Sequence, residues 1–265
     1  MLQLVATLKS HQVDLGYNND IFDNDGQIKR ILRGVKVVTG MKLKTERLPI
    51  TRDIIFKLVE QCGTSFNDVV MRAAICIAFA GFLRTGEFTY DKWDPMSHKS
   101  KASRSSIQFH NESLTLTLPK SKSDPFSKGV PIPMPRTGDA ICPREALKTL
   151  FTRFKTPAAE APLFCCNHEF GYRHNMYFTR SWFLSQLKLL LLKAGMNPAG
   201  FNGHSFRKGA AHSAAAAGMS GDEIKTLGRW KSDAYKLYTG HDDVRRLKLA
   251  KTITNKLRSA PRTQR

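Results

Sequence analysis

The sequence predicts a mainly α-helical protein with one small antiparallel β-hairpin or sheet. Apolar residues at helical spacing, bounded by capping residues, recur along most of the 265 residues. Leu114, Leu116 and Leu118 alternate instead with threonines, which is the periodicity of a β-strand. Hydrophobic residues make up 41% of the chain, enough to form a buried core.

The first 48 residues differ from the rest of the chain. Leu4, Leu8 and Val13 are spaced as in a helix, and a turn-rich segment, NNDIFDNDGQ, follows. A short helix, IKRILRGVKVVTG, is expected to end at Gly40. These elements hold too few apolar residues for a core of their own, so we expect the end of an upstream domain and a linker. Pro49 favours an extended backbone at Leu48.

Regular helices are predicted from Thr51 onward. Thr51 is expected to cap the helix TRDIIFKLVEQC, and Ser65 or Asn67 the next one. That next helix, DVVMRAAICIAFAGFLR, is apolar on nearly all sides as far as Arg84. A helix of this kind lies at the centre of a domain.

A β-hairpin with a basic tip interrupts the helices. Residues 105–119 are predicted to form one strand and residues 130–135 its partner. The connection SKSDPFSKG contains Asp-Pro and Gly turn signals.

The later part of the chain predicts five more helices. The segments PREALKTLFTRFK and MYFTRSWFLSQLKLLLLKAG form the first two, the second ending at Gly195. Ser205 is expected to cap a helix that continues to Ala217. Ser220 and Glu223 form a capping box for a helix that ends at Gly228, and Ser232 caps the last helix.

The net charge indicates a polyanionic partner. Lys and Arg number 42 against 22 Asp and Glu, a formal charge of +20. Because the excess is spread along the chain, it suits a protein that surrounds double-stranded DNA better than one that binds an anionic membrane. A solvated surface tuned for solubility is the alternative. No run of 18 apolar residues occurs, which excludes a membrane-spanning helix.

His204 and Arg207 are candidates for a phosphate site. They lie three residues apart at a predicted helix start, where free backbone N–H groups and the helix dipole also favour an anion. Arg207 can bind two phosphate oxygens, and His204 can exchange a proton near neutral pH. An ordinary capped helix with a surface His and Arg explains the same pattern.

Trp230, Tyr235 and Tyr238 follow in the segment GRWKSDAYKLY. A tyrosine phenol, with a pKa of about 10, is a poor nucleophile unless arginines surround the phosphate that it attacks. Tyr235 and Tyr238 share a helical face, so either has suitable geometry. We interpret Tyr235 as a core residue.

The order of these motifs resembles the tyrosine recombinase (phage-integrase-like) superfamily over about residues 49–245. FLRTGEF resembles the segment of its first arginine, PKSKSD its lysine region, and HSFRKGA and LGRWKSDAYKLY its C-terminal signature. Within this superfamily, three segments are most similar to the recombinases of eukaryotic Crypton- and DIRS-type mobile elements. These segments are SKSDPFSKG, HSFRKGAAHSAAAAGMS and GRWKSDAY.

The resemblance implies a catalytic site on one basic face of a tyrosine recombinase catalytic domain. Arg84 and Arg207 would hold the scissile phosphate, with Glu87 supporting Arg84, and His204 would act as acid or base. Lys122, or alternatively Lys120, would protonate the leaving 5′ oxygen. Trp230 would donate its indole N–H, and Tyr238 would form a 3′-phosphotyrosyl link. No metal or other cofactor is implied.

The resemblance also implies a domain order, partners and a location. Residues 1–48 would be a remnant of an N-terminal, SAM-like core-binding domain plus a linker, with most of that domain absent. Residues 49–245 would form the catalytic domain, and 246–265 a basic tail. The partners would be double-stranded DNA and further copies of the chain, in the nucleus.

Tyr238 follows Trp230 by eight residues where the family usually has nine. A type IB topoisomerase and a non-catalytic DNA-binding protein derived from a mobile element are the alternatives.

Overall fold

The computed structural model describes residues 2–17, 27–38, 47–94, 96–119, 129–155, 158–166 and 176–237. The chain divides into two units, residues 1–46 and residues 47–265. The first unit contains helix α1 (Leu2–Asp14) and helix α2 (Gln27–Val38). Both helices lie where the apolar spacing predicts them.

The second unit is organised around one apolar helix. Helix α3 (Arg52–Glu60) is followed by α4 (Phe66–Ala80), which the Ser65 side chain caps by accepting a hydrogen bond from the backbone N–H of Asp68. Most of α4 is buried, and it packs against α3, α5 and α7, which are defined below. The expected continuation of α4 to Arg84 is wrong: it ends at Ala80, because Phe82 adopts a left-handed backbone conformation with φ of 49°.

Three strands form the main sheet, in the order β1 (Ile107–Phe109), β2 (Ser113–Leu118) and β3 (Val130–Pro135). Both pairings are antiparallel, with Leu116 opposite Ile107 on one side and Ile132 on the other. The single strand predicted over residues 105–119 is therefore wrong, since a turn divides it at residues 110–112. Prolines, which donate no backbone hydrogen bond, alternate with buried residues along the edge strand β3.

The next elements are helix α5 (Pro143–Arg153), the two-stranded pair β4 (Cys165–Cys166) and β5 (Met176–Tyr177), and helix α6 (Arg180–Lys193). The predicted helix start at Met176 is wrong. Residues 176–177 pair with β4 instead, and Thr179 caps α6 by accepting a hydrogen bond from the backbone N–H of Trp182 at 3.1 Å.

Two helices and a 3₁₀ helix complete the described chain: α7 (Ser205–Ala216), α8 (Gly221–Leu227) and Asp233–Leu237. The capping box of Ser220 and Glu223 is confirmed. Ser205 is not the cap of α7 but its first residue, because its hydroxyl accepts a hydrogen bond from the N–H of Asn202 at 2.9 Å. A Cβ on Gly209 would lie only 1.7 Å from the Ile50 carbonyl oxygen, so α7 meets the residues before α3 backbone to backbone.

The fold thus matches the mainly α-helical prediction with a small antiparallel sheet. Within the described ranges, no helix combines the length and the apolar character needed to cross a membrane.

Candidate active site

Arg84 lies just beyond the end of α4, at the start of the short 3₁₀ helix Thr85–Glu87. Glu87 holds Arg84 in place through two hydrogen bonds. The Arg84 backbone N–H donates to Glu87 Oε2, and Arg84 Nη1 donates to Glu87 Oε1, each at 2.8 Å. The guanidinium is held in one direction while 28% of the side chain stays exposed. Glu87 therefore supports Arg84 as the sequence interpretation expected.

Glu87 also binds a second arginine, Arg229, which the sequence interpretation missed. Arg229 Nη2 donates to Glu87 Oε2 at 2.9 Å, and Nη1 donates to the Gly81 carbonyl oxygen at 2.9 Å. Burial lowers the pKa of the Arg229 guanidinium, and the Glu87 carboxylate opposes that shift. The result is a largely buried Arg84–Glu87–Arg229 bridge between the end of α4 and the segment after α8.

His204 reaches the same place from the start of α7. The Thr85 hydroxyl donates to the Gly203 carbonyl oxygen at 2.6 Å, which joins the Arg84 segment to the turn before α7. The His204 backbone N–H donates to Asn202 Oδ1 at 2.9 Å, which orders that turn. The imidazole is half-buried.

The electrostatic environment of His204 is strongly positive. Burial is the largest cause that lowers the pKa of its imidazole, followed by the positive charges of four arginines: Arg47, Arg180, Arg207 and Arg84. The neutral imidazole is therefore favoured near pH 7 in the free protein. A bound phosphate would offset these charges and favour the protonated form.

Arg207 lies beneath the site. Only 2% of the residue is exposed. Its Nη1 donates to the Phe82 carbonyl oxygen at 2.8 Å, Nη2 donates to the Gly228 carbonyl oxygen, and the guanidinium lies 4.3 Å from the centre of the Trp230 ring. Arg207 is therefore enclosed in the free protein by two carbonyl groups and the indole ring.

Trp230 is part of a small apolar cluster separate from the main core. Its ring contacts Phe82 edge to face, with ring centres 6.3 Å apart, and Tyr235, with ring centres 6.2 Å apart. Tyr235 is buried in the same cluster, as expected for a core residue. The cluster fixes α7, α8 and the 3₁₀ helix Asp233–Leu237 against the end of α4.

The structure thus brings four predicted site residues together from three distant segments: Arg84, His204, Arg207 and Trp230. Lys122, its alternative Lys120, and Tyr238 lie outside the described residues. The structure adds Arg47, Arg180 and Arg229 to the site. Arg229 had a sequence signal, because it precedes Tyr238 by the nine residues expected for the position given to Trp230. Arg47 and Arg180 had none.

The arrangement is suited to phosphate chemistry. Several guanidinium groups lie close to one imidazole, and a carboxylate fixes the direction of one of them. In the part of the chain that the structure describes, no group of three or more His, Cys, Asp or Glu residues is placed to hold a metal ion.

Solved structures of DNA recombinases share the fold. The XerH site-specific recombinase in its post-cleavage complex with palindromic difH substrate has a TM-score of 0.56 at 15% identity, over 79% of this chain and 54% of that chain. XerA recombinase has a TM-score of 0.52 at 16% identity, over 85% and 73%. The Tn1549 transposon integrase in complex with transposon right end DNA has a TM-score of 0.54 at 13% identity, over 86% and 70%.

These similarities confirm the predicted fold, that of the tyrosine recombinase catalytic domain. This chain spans about half the length of the XerH recombinase. No protein-family model and no curated protein matches the sequence.

Proposed function

We propose that this protein breaks and rejoins DNA through a covalent link between Tyr238 and a 3′ phosphate. The observation that carries the proposal is the convergence of Arg84, His204, Arg207 and Trp230 within this fold. These residues come from three segments of the chain, and a group of charged residues that shifts the pKa of a histidine in this way is typical of functional sites.

The proposed cleavage step is an in-line displacement at phosphorus. The Tyr238 phenol gives its proton to the neutral imidazole of His204, its oxygen forms a bond to the phosphorus, and the bond from phosphorus to the 5′ oxygen breaks. Lys122 gives its proton to the leaving 5′ oxygen. A 5′ hydroxyl of a second strand then attacks the phosphotyrosine, and the tyrosine leaves. Bond energy is conserved in the covalent intermediate, so the reaction consumes no nucleotide.

Three of the described residues can stabilise the negative charge that develops on the phosphate oxygens in this step. Arg84 is directed by Glu87 and remains partly exposed, so it can contact the reacting phosphate. The buried Arg207 acts from below, where the low dielectric strengthens its attraction for the developing negative charge. His204 is close enough to both for their charges to act on its imidazole, and it can exchange a proton with the reacting oxygens.

The biological setting forms part of the same proposal. The sequence resemblance to Crypton- and DIRS-type recombinases supports a mobile-element recombinase that acts in the nucleus on double-stranded DNA. Strand exchange between two duplexes requires more than one protomer on the DNA, so we propose self-association during the reaction.

The proposal is tested with a pool of nicked duplexes of random sequence. A nick close to the cleavage point lets the short fragment diffuse away and traps the covalent intermediate. We expect a protein–DNA adduct that survives denaturation. Replacing Arg207 by Ala should reduce adduct formation about a hundredfold or more, because one preorganised donor is typically worth about 3 kcal/mol.

Other outcomes of this experiment identify the alternatives. DNA binding with no adduct would indicate a non-catalytic DNA-binding protein. Adduct formation together with relaxation of any supercoiled plasmid, without strand exchange, would indicate a type IB topoisomerase.

A further inference from the structure

The arginines around His204 form two sets. Two are hydrogen-bonded within the protein, to Glu87 or to backbone carbonyl groups: Arg84 and Arg207. The other two, Arg47 and Arg180, are exposed. Neither of their side chains has a hydrogen-bond or ion-pair partner among the residues that the structure describes.

Local contacts place both exposed arginines beside the turn of residues 200–204. The Leu48 backbone N–H donates to the Gly200 carbonyl oxygen at 3.0 Å, which places Arg47 at one end of this turn. At the other end, Arg180 Nε lies 3.4 Å from the point that a Cβ on Gly203 would occupy. The missing side chain at residue 203 lets Arg180 approach the backbone closely.

The two charges lie in an environment that is already positive. Lys208 Nζ donates to the Arg47 carbonyl oxygen at 2.7 Å, which adds a third cation beside the turn. The charges of both Arg47 and Arg180 help to lower the pKa of His204. Adjacent like charges repel, and a bound anion removes that repulsion.

We propose that Arg47 and Arg180 form a separate DNA-phosphate site next to the reacting phosphate. A guanidinium binds phosphate oxygens through two parallel N–H groups, and two exposed guanidiniums beside one turn suit successive phosphates of one strand. The site would hold the DNA backbone in the ground state, whereas Arg84 and Arg207 act on the reacting phosphate. This inference rests on the proposed function, because it takes DNA as the ligand.

The test measures the salt dependence of binding to a random-sequence 24-base-pair duplex by the full chain. Each phosphate that a protein neutralises adds about 0.9 to the slope of log affinity against log salt. Arg47→Gln and Arg180→Gln should each flatten the slope by about 1, and Arg180→Lys should restore it. Arg153→Gln is the matched control: among the described residues, this exposed arginine makes contacts with the Thr64 carbonyl oxygen and the Phe154 ring, away from the turn of residues 200–204.

The outcomes separate this inference from the proposed function. If Arg47→Gln and Arg180→Gln give the same slope as Arg153→Gln, the phosphate site is refuted, even where wild-type protein forms the covalent adduct. If their slopes flatten while wild-type protein forms no adduct, the phosphate site stands and the proposed cleavage activity fails. Circular dichroism of each variant checks that a change of slope does not come from unfolding.

Discussion

Removing the negative charge of Glu87 should destabilise the fold far more than removing that of an exposed glutamate. Glu87 and Arg229 are only 8% and 11% exposed, and the Glu87 carboxylate accepts hydrogen bonds from both Arg84 and Arg229. Glu87→Gln keeps the shape of the side chain but leaves two arginines without their counter-charge. Breaking a buried ion pair in this way typically costs about 3 to 5 kcal/mol.

We expect a value near the lower end, about 3 kcal/mol, because the amide oxygen of Gln can still accept the two hydrogen bonds that Oε2 accepts from Arg84 and Arg229, and because Arg84 is partly in water. That loss is a large part of the total stability of a domain, which is about 5 to 15 kcal/mol. The assay is urea unfolding, in which the midpoint should fall while the slope stays constant.

Glu112→Gln provides the control. Glu112 is 82% exposed and lies 3.8 Å from Arg136 Nη1, so its loss should cost less than about 1 kcal/mol. Equal midpoints for Glu87→Gln and Glu112→Gln would refute the reasoning, because the bridge would then contribute no more than a surface pair.

Three further predictions follow from the fold and the site. Gly209→Ala should lower the free energy of unfolding by about 3 kcal/mol, because the new methyl group would collide with the Ile50 carbonyl group. Gly86→Ala is the control: its methyl group would have no atom within 4 Å, so its free energy of unfolding in the same urea assay should be nearly unchanged. DNA affinity should rise as the pH falls below about 6.5, because bound phosphate raises the lowered pKa of His204 and binding takes up a proton. His204→Gln should remove this pH dependence in DNA-binding titrations from pH 7.5 to 5.5. The same pH profile in His204→Gln and in the wild-type protein would contradict the prediction. Lys251→Gln, in the basic tail, should weaken binding to all DNA sequences alike and flatten the salt slope, and a sequence-dependent loss would argue against a backbone contact.

The lowered pKa of His204 also makes the free energy of unfolding depend on pH. The unfolded chain binds a proton at about pH 6.5, where the folded protein still keeps the imidazole neutral. The unfolded state therefore binds more protons in the window just below that pH, and stability falls as the pH decreases through it. DNA binding and folding thus respond to acid in opposite directions.

Local signals in the sequence were sufficient for much of the fold. The capping box of Ser220 and Glu223 involves residues three apart, and the alternation of Leu114, Leu116 and Leu118 reports directly on the buried face of β2. Element ends were less predictable. The end of α4 depends on a left-handed conformation at Phe82, which is rare for a non-glycine residue and has no sequence signature.

The site was predictable only where a motif held its residues together. His204 and Arg207 share one helix start, so their proximity could be read from the chain. The contact between Glu87 and Arg229 joins residues 142 positions apart, and no local pattern reports such a pair. The exposure of Arg180 and the burial of Arg207 both depend on tertiary packing, so no local pattern in the sequence reports them.

Mapping the protein residue that becomes attached to DNA shows directly whether Tyr238 is the nucleophile. The adduct trapped on a nicked duplex is digested with a protease and a nuclease, and the modified peptide is sequenced by mass spectrometry. We predict a 3′-phosphonucleotide on Tyr238, no adduct with Tyr238→Phe at unchanged DNA affinity, and an adduct retained with Tyr235→Phe. An adduct that maps to Tyr235, or that survives in Tyr238→Phe, would contradict the account.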